Sequence, residues 1–138
     1  AAFQKKWSGS PLVMDKWFAA QAAAPRTDAL ARLERLRGHP DFDLKNPNRV
    51  RSLAMSFATR NLRAFHAADG AGYAFMAGLA GEVDPLNPAL SSRLLAPFES
   101  WRRFDAARQA RAEAVLRRLL ERSDLSKNAH DILTRTLS

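Results

Sequence analysis

No segment of this chain alternates apolar and polar residues for long enough to form a half-buried strand, and every long periodic stretch repeats at helical spacing. An all-α fold follows. A first helix opens at Pro11, with Ser10 as its cap, and runs through PLVMDKWFAAQAA. It is apolar around most of its circumference, so burial on more than one side is expected. A second, DALARLERLR, is capped by Thr27 and stopped by Gly38, with Leu30, Leu33 and Leu36 facing inward. Asn46-Pro47 opens a third, on which Val50, Leu53, Ala54 and Phe57 form a core stripe.

A short turn from Leu62 to His66 leads to Asp69, the expected cap of a fourth helix that carries no charge from Gly70 to Gly81. That helix reads as central. A glycine inside a helix costs about 1 kcal/mol relative to alanine, so Gly72, Gly78 and Gly81 are expected where neighbouring helices approach closely. Asn87-Pro88 opens a fifth helix, which Pro97 should kink or divide near Phe98. A long amphipathic helix from Asp105 to Arg122 and a last one, capped by Ser126 and ending near Leu137, complete the chain.

The words NPNRVRSLAMSF and NPALSSRLLAPF lie 41 residues apart, and Ser10-Pro11 opens a helix 36 residues before Pro47. Spacings of roughly 40 residues fit helical-pair repeats. The expectation is a superhelical, HEAT- or armadillo-like array of stacked antiparallel helix pairs, about seven to eight helices in all. With 138 residues, short connections and no low-complexity linker, a single domain over 1–138 is expected.

Composition narrows the function. No window approaches the roughly 18 apolar residues of a membrane span, and the first residues lack the apolar core of a secretory signal. The absence of cysteine excludes disulfides and thiolate zinc sites and suits a reducing compartment, so a cytoplasmic location is expected. The net charge of +8 is uneven: residues 1–68 carry 12 basic and 5 acidic side chains, the remainder 10 and 9. Nucleic acid, an acidic membrane surface or an acidic protein could answer such charge.

Catalytic constellations are missing from the sequence. There is no HExxH, no GxSxG and no P-loop, and His39, His66 and His130 are widely spaced. His66 and Asp69 alone make a poor metal site. Arg108, Arg111, Arg118 and Arg122 form a stripe on the long helix, read either as a solvated face whose stems shield leucines or as a dock for an acidic surface. Trp7, Trp17, Trp101 and Phe104 read as packing residues or, less simply, as a ligand cage. Arg49 and Arg51 are the least expected residues, since the amino end of a helix carries partial positive charge. Either carboxylates such as Asp41, Asp43 or another acid of the chain pair with them, or they address something negative outside it.

Several uncommon words occur in one order: PLVMDKWFAAQA, NPNRVRSL, FHAADGAGYAF, NPALSSRLL and RRFDAARQA. In this order they resemble the C-terminal helical domain of bacterial aminopeptidase N, a zinc metallopeptidase of the gluzincin clan. Phe104 stands where that family has a tyrosine. The resemblance implies a non-catalytic piece of a larger enzyme that removes amino-terminal residues from peptides. The zinc and its ligands would sit in another domain, and this piece would cover the active site and line the internal cavity. Its partners would be the other domains of the polypeptide and the peptide substrate, with neither nucleic acid nor membrane. It implies a cavity-facing role for Arg93, with Ala89 where relatives offer a polar side chain, and interdomain or cavity electrostatics for Arg49 and Arg51. A different class of function, an autonomous basic helical-repeat adaptor for acidic partners or nucleic acid, is the alternative.

Overall fold

The computed structural model describes residues 11–24 and 28–138. Among them are eight α-helices, one 3-10 helix and no strand. They are α1 (Pro11–Ala23), α2 (Ala29–Arg37), α3 (Pro47–Arg60), α4 (Leu62–Phe65), α5 (Ala71–Val83), α6 (Pro88–Leu95), the 3-10 helix (Ala96–Arg103), α7 (Ala106–Leu120) and α8 (Lys127–Leu137). The caps expected at Ser10 and Thr27, like Trp7, lie outside the described residues. The chain divides into two compact units, residues 1–64 and 65–138.

In the first unit α1 packs along α3, with α2 more lightly attached to α1. The predicted stripe of α3 is fully buried, and it meets Met14, Phe18 and Ala22 of α1 in the same core. Asn46 caps α3 as its sequence suggests, accepting from the Arg49 amide, with Pro47 in the first turn. The far end of α1 is closed by a residue that no pattern announced. Asn61, itself buried, donates its side-chain amide to the carbonyls of Ala22 and Ala24, both at 3.1 Å. Helix α2 departs slightly from expectation: Leu33 and Leu36 are buried, whereas the third buried position is Ala29 and Leu30 is only partly covered.

Helix α1 departs more sharply. Its buried residues, Met14, Phe18 and Ala22, lie on a single stripe, and Leu12 remains 65% exposed. Burial on more than one side is not achieved among the described residues: α1 packs chiefly along α3, with lighter contacts to α2 and to His39 and Phe42 of the loop that follows it.

In the second unit α5 touches α6 and α7, and α8 also touches both, so four helices close around a shared core. The 3-10 helix that follows α6 is where Pro97 divides the predicted fifth helix. Helix α5 is central here: nine of its residues are buried, including Tyr73, Met76, Leu79 and Val83. Phe65, Tyr73 and Phe98 form an aromatic trio with ring centroids 5.3–5.7 Å apart. The glycine expectation holds in part. An added Cβ at Gly81 would meet Arg122 at 2.7 Å and Leu119 at 3.1 Å, whereas Gly78 faces open space. Gly70, not Asp69, occupies the cap position of α5, with φ of +78°, a conformation glycine adopts without strain. Asp69 still contributes, one residue earlier, by accepting from the Ala71 amide at 3.0 Å.

Asn87 and Asp105 cap α6 and α7 in the same manner as Asn46. At α8 the cap is reinforced. Ser126 accepts from the Ala129 amide while its own amide and hydroxyl both donate to Asp84, which is fully buried. A buried carboxylate left without donors is costly. Replacing Ser126 with alanine should therefore destabilise the protein by about 2 kcal/mol, combining loss of a cap with a weakened Asp84. Asp124→Ala, at an exposed carboxylate, should cost less than about 1 kcal/mol. Urea unfolding of both variants checks the contrast.

Candidate functional site

Arg49 enters the core of the first unit. Its side chain is only 6% exposed; Nε donates to Asp15 Oδ1 of α1 at 2.7 Å and Nη1 to the main-chain carbonyl of Asp41. The guanidinium carbon lies 5.2 Å from the centroid of the Phe18 ring. Asp15 comes from the word MDKWF, so two of the distinctive motifs are joined by this contact. Of the acids anticipated as partners, Asp41 contributes its carbonyl, and the carboxylate is that of Asp15. Around it, Phe18 also contacts Trp17, His39 and Phe42, at 5.0, 5.3 and 5.8 Å between centroids.

Arg51, two residues on, points the other way. It donates to Asn48 and lines a shallow groove of about 620 Å³ together with Leu12, Asp15, Lys16, Ala19, Ser52 and Met55.

Arg93 lies on the exposed face of α6, and its guanidinium has no partner among the described residues. Ala89, Ser92 and Ala96 stand at the neighbouring helical positions on that side, so a smooth strip of small residues carries one charge. The opposite face of α6 is fixed by Leu90, Leu94 and Leu95, and by buried Ser91, whose hydroxyl donates to the Ala80 carbonyl at 2.9 Å.

His66 is bound into the second unit. Its Nδ1 is 2.7 Å from the Tyr73 hydroxyl, its ring stacks on Phe104 at 4.0 Å, and its carbonyl accepts from Arg108 Nε at 2.6 Å. Burial, and then the Arg108 charge, holds the imidazole pKa below its ordinary 6.5. Burial pushes the Tyr73 phenol upward. Phe104 therefore serves as a stacking plate. The arginine stripe on α7 is largely engaged as well. Arg108 also pairs with Asp105 at 2.7 Å, the Arg111 stem lies over Gly70, and Arg122 donates to the Gly81 carbonyl at 2.9 Å and to Asp124; Arg118 is exposed. Trp101 donates its indole N–H to the Thr136 carbonyl at 2.9 Å and carries Arg102 over its ring at 4.8 Å. Trp17 packs in the first unit, so the aromatic residues are distributed among separate packing sites.

Among the described residues no three His, Cys, Asp or Glu side chains come together in a way that could hold a metal ion. The zinc implied by the resemblance finds no ligand set among the described residues. No described helix is long and apolar enough to cross a membrane.

The whole chain, residues 1–138, matches the family described as "Domain of unknown function (DUF3458_C) ARM repeats". This chain belongs to the DUF3458_C family. The DUF3458_C chain is 42% identical to aminopeptidase N of Haemophilus influenzae over 137 residues and 42% identical to that of Caulobacter vibrioides over 136. It is 39% identical to aminopeptidase N of Escherichia coli over 136 residues. Each match covers 99% of this chain and 16% of the relative, and falls in the C-terminal region of those proteins. Legionella pneumophila aminopeptidase A, crystallised in complex with aspartic acid, superposes with a TM-score of 0.92 at 32% identity, over 99% of this chain and 16% of that one. The armadillo-type helical fold and the aminopeptidase kinship read from the sequence words are thus both established. What the sequence did not reveal are the acceptors of the arginines, because partners such as Asp15 and the Gly81 carbonyl lie 34 and 41 residues away.

Two measurements follow from this geometry. Arg49→Ala leaves Asp15 beside an empty site and should destabilise by about 3 kcal/mol in denaturant unfolding. Arg49→Lys should recover only part of this, since a point charge cannot serve a carboxylate and a carbonyl in two directions. For His66 the folded pKa lies below the unfolded value, so below pH 6.5 the unfolded state binds the extra proton. Its contribution is complete above pH 6.5 and is lost as pH falls through the folded pKa. Thermal stability should fall over that window, and His66→Gln should flatten that part of the slope.

Proposed function

We propose that this chain is a non-catalytic domain of a cytoplasmic zinc aminopeptidase, covering the active site and lining the cavity through which peptides reach it. The observation that carries the reading is the kinship with aminopeptidase N over 99% of the chain, within 16% of the relative's length. In this reading the zinc and the bond-breaking groups belong to the rest of the polypeptide, and the chain alone hydrolyses nothing. Arg93 is the cavity residue: a flexible cation on a strip of small side chains suits the distal part or carboxylate of a peptide without imposing a sequence preference. Arg51 adds positive potential at a surface facing another domain, whereas Arg49 acts indirectly, by holding α1 and α3 together. The chain works as one domain of its polypeptide.

Against the adaptor alternative, Arg49, Arg102, Arg108 and Arg122 are held within the fold by main-chain carbonyls, which leaves these four less free to reach an outside partner.

The test uses the intact enzyme. Arg93→Ala should raise KM for peptides of four or more residues by roughly two- to fivefold, the range expected for losing one partly exposed ionic contact. Aminoacyl-anilide substrates, which do not extend that far, should be affected less than about twofold. Equal changes for both substrate classes would remove Arg93 from the distal cavity.

A further inference from the structure

The groove beside Arg51 has regular walls. Leu12, Asp15, Lys16 and Ala19 stand at i, i+3, i+4, i+7 on α1; Asn48, Arg51, Ser52 and Met55 stand at the same intervals on α3. Two such ridges, side by side over two helical turns, form the kind of surface into which a third helix packs. Helix α1 is apolar nearly all round, and such helices are ordinarily enclosed. Here only one stripe is enclosed, and Leu12, at 65% exposure, is the most exposed large apolar residue described. Armadillo-type repeats bury their apolar faces by stacking on the next repeat, and a true terminal face is polar. No helix of the described residues stacks on this face, and it sets Leu12, Ala19 and Met55 among its polar side chains.

We infer that the α1–α3 groove receives a helix from the same polypeptide outside residues 1–138, bearing an apolar residue flanked by carboxylates. The inference rests on the reading that the chain is one domain of a longer protein, as its 16% coverage of the relatives supports. The charge of the occupant follows from the walls. Lys16 and Arg51 are the groove's cations, and its one acid, Asp15, is engaged by Arg49. The first unit as a whole carries 12 basic and 5 acidic residues. An acidic ridge would complete the ion pairs while its apolar residue covers Leu12 and Met55.

The experiment is made on the full-length polypeptide. Leu12→Cys and Met55→Cys, with Leu86→Cys as an exposed reference, are labelled with maleimide, and rates at each site are read by peptide mass spectrometry. The expected result is labelling of the two groove cysteines about tenfold slower than in the urea-unfolded polypeptide, with Leu86→Cys far less protected. The double variant Lys16→Glu/Arg51→Glu should abolish that protection, whereas Arg118→Glu, outside the groove, should leave it intact. Unprotected groove cysteines in the parent would overturn the inference, as would protection that appears only at high protein concentration, which would assign the groove to a second copy. Aminoacyl-anilide hydrolysis by the same preparations separates the two readings. Active enzyme with unprotected cysteines defeats only the docking helix, and a full-length protein with no aminopeptidase activity defeats the parent function whatever the labelling shows.

Discussion

Short helices create many ends, and each end leaves amides or carbonyls without a partner inside the helix. With nine helical segments in the described residues, satisfying those ends is the constraint on which this fold depends. The amino ends of α3, α6, α7 and α8 are closed locally by Asn46, Asn87, Asp105 and Ser126. Carbonyl groups are met from a distance: Asn61 reaches the end of α1, Arg122 reaches Gly81 late in α5, and Arg102 reaches Leu137 and Ser138 at the end of α8. Cations are favourable at helix carboxyl ends. The arginine content is thus partly a device for joining one helix to the terminus of another.

Arg49 resolves the oddity of a cation near the amino end of its own helix. The unfavourable field there is offset by a carboxylate from α1, a carbonyl from the preceding loop and an aromatic face. Arg51, on the same turn, has only Asn48 for a partner among the described residues and stays at the surface. Two arginines separated by one residue thereby take opposite tasks, one inside the core and one on its flank, because successive helix positions at that spacing point in different directions.

The local rules of helix formation were legible in the sequence, and the long-range ones were not. Asn-Pro pairs, Asp105 and Ser126 mark helix starts because capping is settled within three residues, and Pro97 interrupts a helix by the geometry of its own ring. The buried stripe of α3 follows from spacing alone. Burial of α1 on several sides was misjudged because an apolar circumference records what a helix needs, and the neighbours available are set elsewhere. Gly78 was misjudged for a related reason: composition cannot tell a glycine that admits a neighbour from one that faces open space. Kinship with the aminopeptidases was readable because it rests on several rare words in order, among them MDKWF and NPNRVRSL. The structure joins these two through Asp15 and Arg49.

The division of the chain near residue 64 bears on how it is made. Contacts cluster within 1–64 and within 65–138, and the most distant side-chain hydrogen bonds described, Arg108 to His66 and Ser126 to Asp84, span 42 positions. Chains whose partners lie close in sequence collapse quickly, since little loop entropy opposes each contact. During translation the helices described in the amino-terminal unit are all made before those of the other half. The order of synthesis and the order of assembly therefore run in the same direction.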